Sequence, residues 1–189
     1  MNFLAHAYLS PNQDLVQLGN TFGDFVKGKK MTGVHPQVIQ GVLLHRRIDQ
    51  FTDQHPLVIK AVSMFKPTLG RFSAIAVDVC FDYFLAKNWT KYSDVELTVF
   101  VNELFVAYEL NRLNLTDRIN QIAPVMKMQE WLLKYQTIEG LEEILKQMSN
   151  RVKNKVQFES IISYVKENEV QLNVLFHSFF KDLMVAFKH

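Results

Sequence analysis

The sequence predicts an all-α protein, a compact single-domain helical bundle over residues 1–189. Three observations carry that expectation. Apolar residues recur at helical spacing, period-two alternation is nearly absent, and the 7 glycines and 5 prolines punctuate segments instead of filling them. With 48% hydrophobic residues, the chain has the material for one sizeable core.

The elements follow in order. Pro11 precedes a helix near 13–28, which ends in the Gly28 to Pro36 region. A second helix is expected near 37–53, and Pro56 opens a third near 56–65. Pro67 to Gly70 separates that one from a helix near 71–88. Helices near 94–112, 116–136 and 139–149 come next, with Pro124 and Gly140 as the later punctuation, and a long helix near 155–187 ends the series.

Composition excludes several classes. No stretch of roughly 18 apolar residues occurs, so neither a membrane span nor a membrane partner is expected. The opening "MNFLAHAYLS" lacks a basic region followed by a long apolar run, so no secretory signal is expected. Cys80 is the only cysteine, which rules out a disulfide within the chain and suits a cytoplasmic protein. A net charge of +2 is too small to argue for nucleic acid. Lys27, Lys29 and Lys30 form one local cluster, and Arg46 and Arg47 a second. Each alone reads as solvated surface, whereas two beside one site would attract an acidic partner.

Two helices carry charge on the side they should bury. In "GVLLHRRIDQFTD", at about 100° per residue, Val38, Gly41, Val42, His45, Asp49 and Thr52 share a stripe, with Arg47 opposite. Asp53 continues that series near the helix end. In "AIAVDVCFDYFLA", apolar nearly all round, Asp78 and Asp82 stand four residues apart in line with Ile75, Val79 and Ala86. An uncompensated buried carboxylate costs several kcal/mol, on the order of a domain's whole stability. Hydrogen bonds from Arg46, Arg71, Tyr83 or a helix cap would compensate one such group. For two in register, facing a core-side His/Asp pair, the expectation is a divalent cation.

A nitrogen-and-oxygen donor set suits Mn²⁺, Fe²⁺ or Mg²⁺, and the lack of thiolates argues against structural zinc. Metal-assisted hydrolysis is the class this favours. His6, among apolar neighbours, reads equally as a core histidine or as a ligand. Asp24 falls opposite the stripe of Leu15, Leu18 and Phe22, alongside Asn20, so periodicity alone leaves it exposed.

The segments "MNFLAHAYLS", "GNTFGDFVKG", "HRRIDQFTDQHP", "VDVCFDYFLAKNW" and "EWLLKYQTIEGLEEIL" together resemble, in order, the acyl carrier protein phosphodiesterase family. The resemblance runs over essentially the whole chain and implies a helical enzyme distantly related to HD-type metal phosphohydrolases. It implies cleavage of the diester joining 4'-phosphopantetheine to a serine of acyl carrier protein, with Mn²⁺ the favoured metal. Carried across by motif, it assigns Asp24, His45, Asp49, Asp78, Asp82 and His6 to the site. The expected ligands are His45, Asp49, Asp78 and Asp24, and the expected catalytic groups are Asp24, His6 and Asp82. Tyr8 and Tyr83 stand where family members often have histidine, so neither position is a required ligand here.

Carrier proteins are acidic around the modified serine, so Lys27, Lys29, Lys30, Arg46 and Arg47 become expected steering contacts. Two alternatives share these features: an HD-like phosphohydrolase acting on a nucleotide or other small phosphate ester, and a non-catalytic helical binding module. The Phe-rich end "VLFHSFFKDLMVAF" reads as core or partner surface rather than a membrane binder, and His177 within it has no assigned role.

Overall fold

The structure is a computed structural model that describes residues 2–28, 31–151 and 159–188. It is all-α, with no strand among the described residues. The helices are α1 (Phe3–Tyr8), α2 (Asp14–Thr21), α3 (Pro36–Gln54), α4 (Pro56–Leu69), α5 (Ser73–Lys87), α6 (Leu97–Asn111), α7 (Asp117–Met128), α8 (Trp131–Lys134), α9 (Ile138–Arg151), α10 (Glu159–Glu167) and α11 (Glu169–Phe187). Among the described residues no helix is long and apolar enough to cross a membrane.

Helices α3 and α4 begin by the same local device. His35 and His55 each accept a hydrogen bond from the amide two residues on, at 3.3 Å, and a proline fills the first helical position. Proline has no N–H to lose there, and its fixed φ is already helical. Thr116 caps α7 through the Ile119 amide.

Three expected boundaries differ. The helix near 13–28 ends at Thr21 and gives way to a single 3₁₀ turn, Gly23–Phe25. The segment near 116–136 is broken at Glu130, which adopts a left-handed φ of 52°. The last helix is interrupted at Asn168, whose side chain turns back onto the Tyr164 carbonyl. Residues 155–158 of that expectation lie outside the described residues. Helix α1 is an addition, since six residues are too few for a periodicity to register.

Helix α5 is buried on nearly every side from Ala76 to Ala86, with Asp78 half-exposed. The Phe-rich helix α11 turns Phe176, Phe179, Phe180 and Leu183 into this core, as expected of packing residues. Tyr92 and His177 are hydrogen-bonded to each other beneath it.

Candidate metal centre

The site grows from one close helix contact. A Cβ on Gly41 of α3 would lie 2.2 Å from the Val16 carbonyl oxygen and 2.7 Å from the Asn20 amide nitrogen. Only glycine lets the two backbones come this near. The contact carries the Asn20 carbonyl to His45, one turn further along α3, where it accepts a hydrogen bond from Nδ1 at 2.8 Å.

Asn20 is itself fully buried and holds a second imidazole. Its Nδ2 donates to the His6 carbonyl at 2.8 Å and to Ser10 Oγ at 2.9 Å. Its Oδ1 is therefore the acceptor toward His6 Nδ1, at 3.0 Å. Both histidines spend Nδ1–H on this one residue, so both present Nε2 inward. Their rings stack at 4.0 Å between centroids.

Asp49, one turn beyond His45, meets both of them. His6 Nε2 lies 3.1 Å from Oδ1 and His45 Nε2 3.1 Å from Oδ2. Donor atoms of His6, His45 and Asp49 all fall within 4.8 Å of one another, a possible metal-binding triad. The 3₁₀ turn after α2 then delivers Asp24, whose carboxylate sits 3.3 Å from His45 Nε2 while remaining 69% exposed. Gly23 is needed for that turn, because a Cβ there would lie 2.4 Å from the His45 ring. Asp24 is exposed, as periodicity leaves it, and its carboxylate lies beside His45.

The electrostatics follow from these contacts. Burial works against a charge on His45, but hydrogen bonds to Asp24 and Asp49 outweigh it and raise its pKa to about 9. Burial lowers the His6 pKa from its ordinary value, against its hydrogen bond with Asp49. Burial opposes ionisation of Asp49, yet the two imidazoles hold its carboxyl well below the usual range. Asp24 is lowered by its hydrogen bond with His45. With Nδ1 of each ring spent on Asn20, both Nε2 atoms and the Asp49 carboxylate converge on one small space. Two imidazole nitrogens with a carboxylate oxygen, all within 4.8 Å of one another, suit a divalent transition ion. The residues present therefore fit such an ion.

The remaining expected residues are placed elsewhere. Asp82 is completely buried, and its carboxylate accepts the backbone amides of Leu4 at 2.8 Å, Asn2 at 3.3 Å and Ala5 at 3.4 Å. The start of α1 compensates it, and it lies outside the His6, His45 and Asp49 donor group. Asp78 stands outside the triad, on the half-exposed part of α5, where it and Asp49 add to the raising of Asp53 by burial. Tyr83 donates to Glu169 at 2.9 Å, and Tyr8 donates to the Tyr92 carbonyl at 2.6 Å.

Among the expected cationic contacts, Arg46 braces the loop after Asp24 by donating to the Gly28 carbonyl at 3.0 Å and the Val26 carbonyl at 3.4 Å. Arg47 lies over the Phe187 ring, and Lys27 is exposed. Lys29 and Lys30 lie outside the described residues. Asn20 is the residue that spacing failed to single out. A polar side chain on a helix reads as solvent-facing, and only its partners on α1 and α3 reveal its place.

Fold and site define an all-helical protein with a candidate centre of two histidines and a carboxylate. The chain belongs to the acyl carrier protein phosphodiesterase family, whose profile matches residues 1–183. It is 32% identical over 186 residues to the acyl carrier protein phosphodiesterase of Yersinia enterocolitica, covering 97% of this chain and 96% of that one. The protein of the same name from Photorhabdus laumondii is 29% identical over 185 residues, covering 97% and 93%. That from Salmonella agona is 34% identical over 152 residues, covering 80% and 79%. No solved structure matches the chain.

Proposed function

We propose that this chain is a metal-dependent phosphodiesterase acting on holo-acyl carrier protein, a member of the cytoplasm like its substrate. It hydrolyses the diester between 4'-phosphopantetheine and the carrier serine. Water adds to phosphorus, the phosphorus–serine oxygen bond breaks, and the serine oxygen leaves with a proton. The products are apo-carrier protein and free 4'-phosphopantetheine. The observation that carries this reading is the pair of inward Nε2 atoms, from His6 and His45, facing Asp49 in a chain of this family.

His6, His45 and Asp49 hold the ion, with Mn²⁺ the proposed occupant and Mg²⁺ or Fe²⁺ the alternatives. A bound divalent ion supplies Lewis acidity that offsets charge on the phosphoryl oxygens and acidifies water. Asp24, ionised and exposed at the mouth, orients the attacking water and accepts its proton. With Nε2 committed to the triad, His6 acts as a ligand rather than as the proton donor to the leaving serine. Asp78 lies outside the donor group and is not part of this proposal. Lys27, Arg46 and Arg47, with Lys29 and Lys30, offer positive charge to an acidic carrier protein, chiefly raising the association rate.

The test is incubation with holo-acyl carrier protein and Mn²⁺, read by mass for loss of the prosthetic arm. Asp49→Ala and Asp24→Ala proteins are expected to be folded and inert. A wild-type protein that spares the carrier but turns over a nucleotide or aryl phosphodiester would replace this reading with the small-phosphoester one.

A further inference from the structure

A cavity of about 660 Å³ is lined by the chain that follows Asp24, and the reaction proposed above does not use it. One wall is the strand of chain that leaves the 3₁₀ turn, beginning at Phe25, so the cavity starts one residue beyond the exposed carboxylate. The opposite side is the start of α7. The wall is fixed in register with the metal triad, because Arg46, the neighbour of His45, holds the carbonyls of Val26 and Gly28.

Its chemistry is mixed in a specific way. Phe25, Val26, Met31 and Val34 line it together with the hydroxyl residues Thr32 and Thr116, and the charged Lys27, Asp117 and Arg118 line it too. At the start of α7 Thr116 caps the Ile119 amide, while the amides of Asp117 and Arg118 have no acceptor within their own helix. The volume falls in the range of roughly 300–1,000 Å³ typical of small-molecule sites.

We propose that this cavity receives the pantetheine portion of the prosthetic arm, so that the arm's phosphate lies at the triad and its tail runs over Phe25 toward α7. The proposal rests on the function given above and names how that substrate is recognised. Pantetheine alternates a gem-dimethyl group and ethylene links with two amides and a hydroxyl, which is the pattern of apolar walls interrupted by hydroxyls and amide donors. The carrier protein need not enter the cavity, since the arm is its only part that reaches beyond the serine. Recognition of the arm here also separates a phosphopantetheinyl serine from an ordinary phosphodiester of the same charge.

Pantetheine itself, which lacks the phosphate and so does not address the metal triad, is the probe. Titrated into ¹⁵N-labelled full-length protein, it is expected to give saturable shifts at the amides of Phe25–Gly28, Thr32–Val34 and Asp117–Arg118. A Thr32→Trp protein, changed at an exposed position, is expected to keep the wild-type melting temperature and bind pantetheine at least tenfold more weakly. Its KM for holo-carrier protein should rise by a similar factor, with kcat less affected. Absent or non-saturable shifts, shifts confined to another face, or undiminished binding by Thr32→Trp would overturn the proposal. Wild-type protein that binds pantetheine in this cavity yet leaves holo-carrier protein uncleaved would support the cavity and remove the reaction.

Discussion

The imidazoles of His6 and His45 stack with centroids 4.0 Å apart, and both direct Nδ1 at a single residue, Asn20. Two like rings at that distance cannot both carry charge without cost, and their pKa values are driven in opposite directions. Between the two, charge is favoured on His45, whose pKa is raised to about 9.

Metal affinity is therefore expected to depend on pH through His45. With its pKa near 9 in the metal-free protein, the ring must shed a proton to ligate below that pH. Mn²⁺ affinity should fall by roughly tenfold per pH unit below about 9, with close to one proton released per ion at neutral pH. Calorimetric titration in two buffers of different ionisation enthalpy measures both, and an affinity flat from pH 6 to 8 would contradict it. The same shift has the opposite sense for the metal-free fold. A histidine raised on folding contributes stability that is full below about 6.5 and lost as pH rises through about 9.

Asn20→Ala should damage the site without touching a ligand. It removes the acceptor of His6 Nδ1, one of the two donors to the His6 carbonyl and the donor to Ser10 Oγ. A loss of about 1–3 kcal/mol in stability is expected from the orphaned buried groups. Metal affinity should fall by roughly 10–100-fold, as when the outer partner of a ligating histidine is lost. Asn20→Asp keeps the acceptor and so should retain more metal affinity than Asn20→Ala, measured by Mn²⁺ titration of both folded proteins.

Asp82 predicts a pH effect of a different origin. Burial pushes its carboxyl up to about 7, against the three amides that favour the ionised form. The folded state therefore holds a proton that the unfolded state has lost between about pH 4 and 7. Stability should be full below about 4 and decline as pH rises through 7. Asp82→Asn, read by thermal unfolding in chelator, should flatten that decline while sparing Mn²⁺ binding. An equal slope in the variant would assign the effect to other groups.

Close packing of α2 on α3 makes a final prediction. Gly41→Ala forces its Cβ against backbone atoms of Val16 and Asn20, which cannot rotate away. Overpacking of this kind costs about 1–3 kcal/mol. Because the displaced backbone carries the Asn20 carbonyl, metal affinity should fall as well. Denaturant unfolding and Mn²⁺ titration of the same protein check the pair of effects.

The residues themselves explain what spacing could reveal. Helical class, and the buried side of α3 with His45 and Asp49 on it, follow from a 3.6-residue period that any buried helix must obey. The close starts of α3 and α4 follow from His-Pro pairs whose cap is local. Asp82 was legible as buried, with a helix cap among its open partners, but which cap was not, because its amides come from a segment about eighty residues earlier. Asp24 lay beyond the end of α2, where the helical period ceases to apply. Asn20 and the breaks at Glu130 and Asn168 depend on neighbours that no local window contains.

The clasp of Asp82 on the start of α1 bears on how the centre comes into being. Six residues do not hold a helix in water unaided, so α1 borrows its order from α5 and α2. His6 rides on that borrowed order. Ion capture is thus a report on whether the leading strip of chain has docked, and a protein undone only there would keep most of its bundle yet forfeit its chemistry.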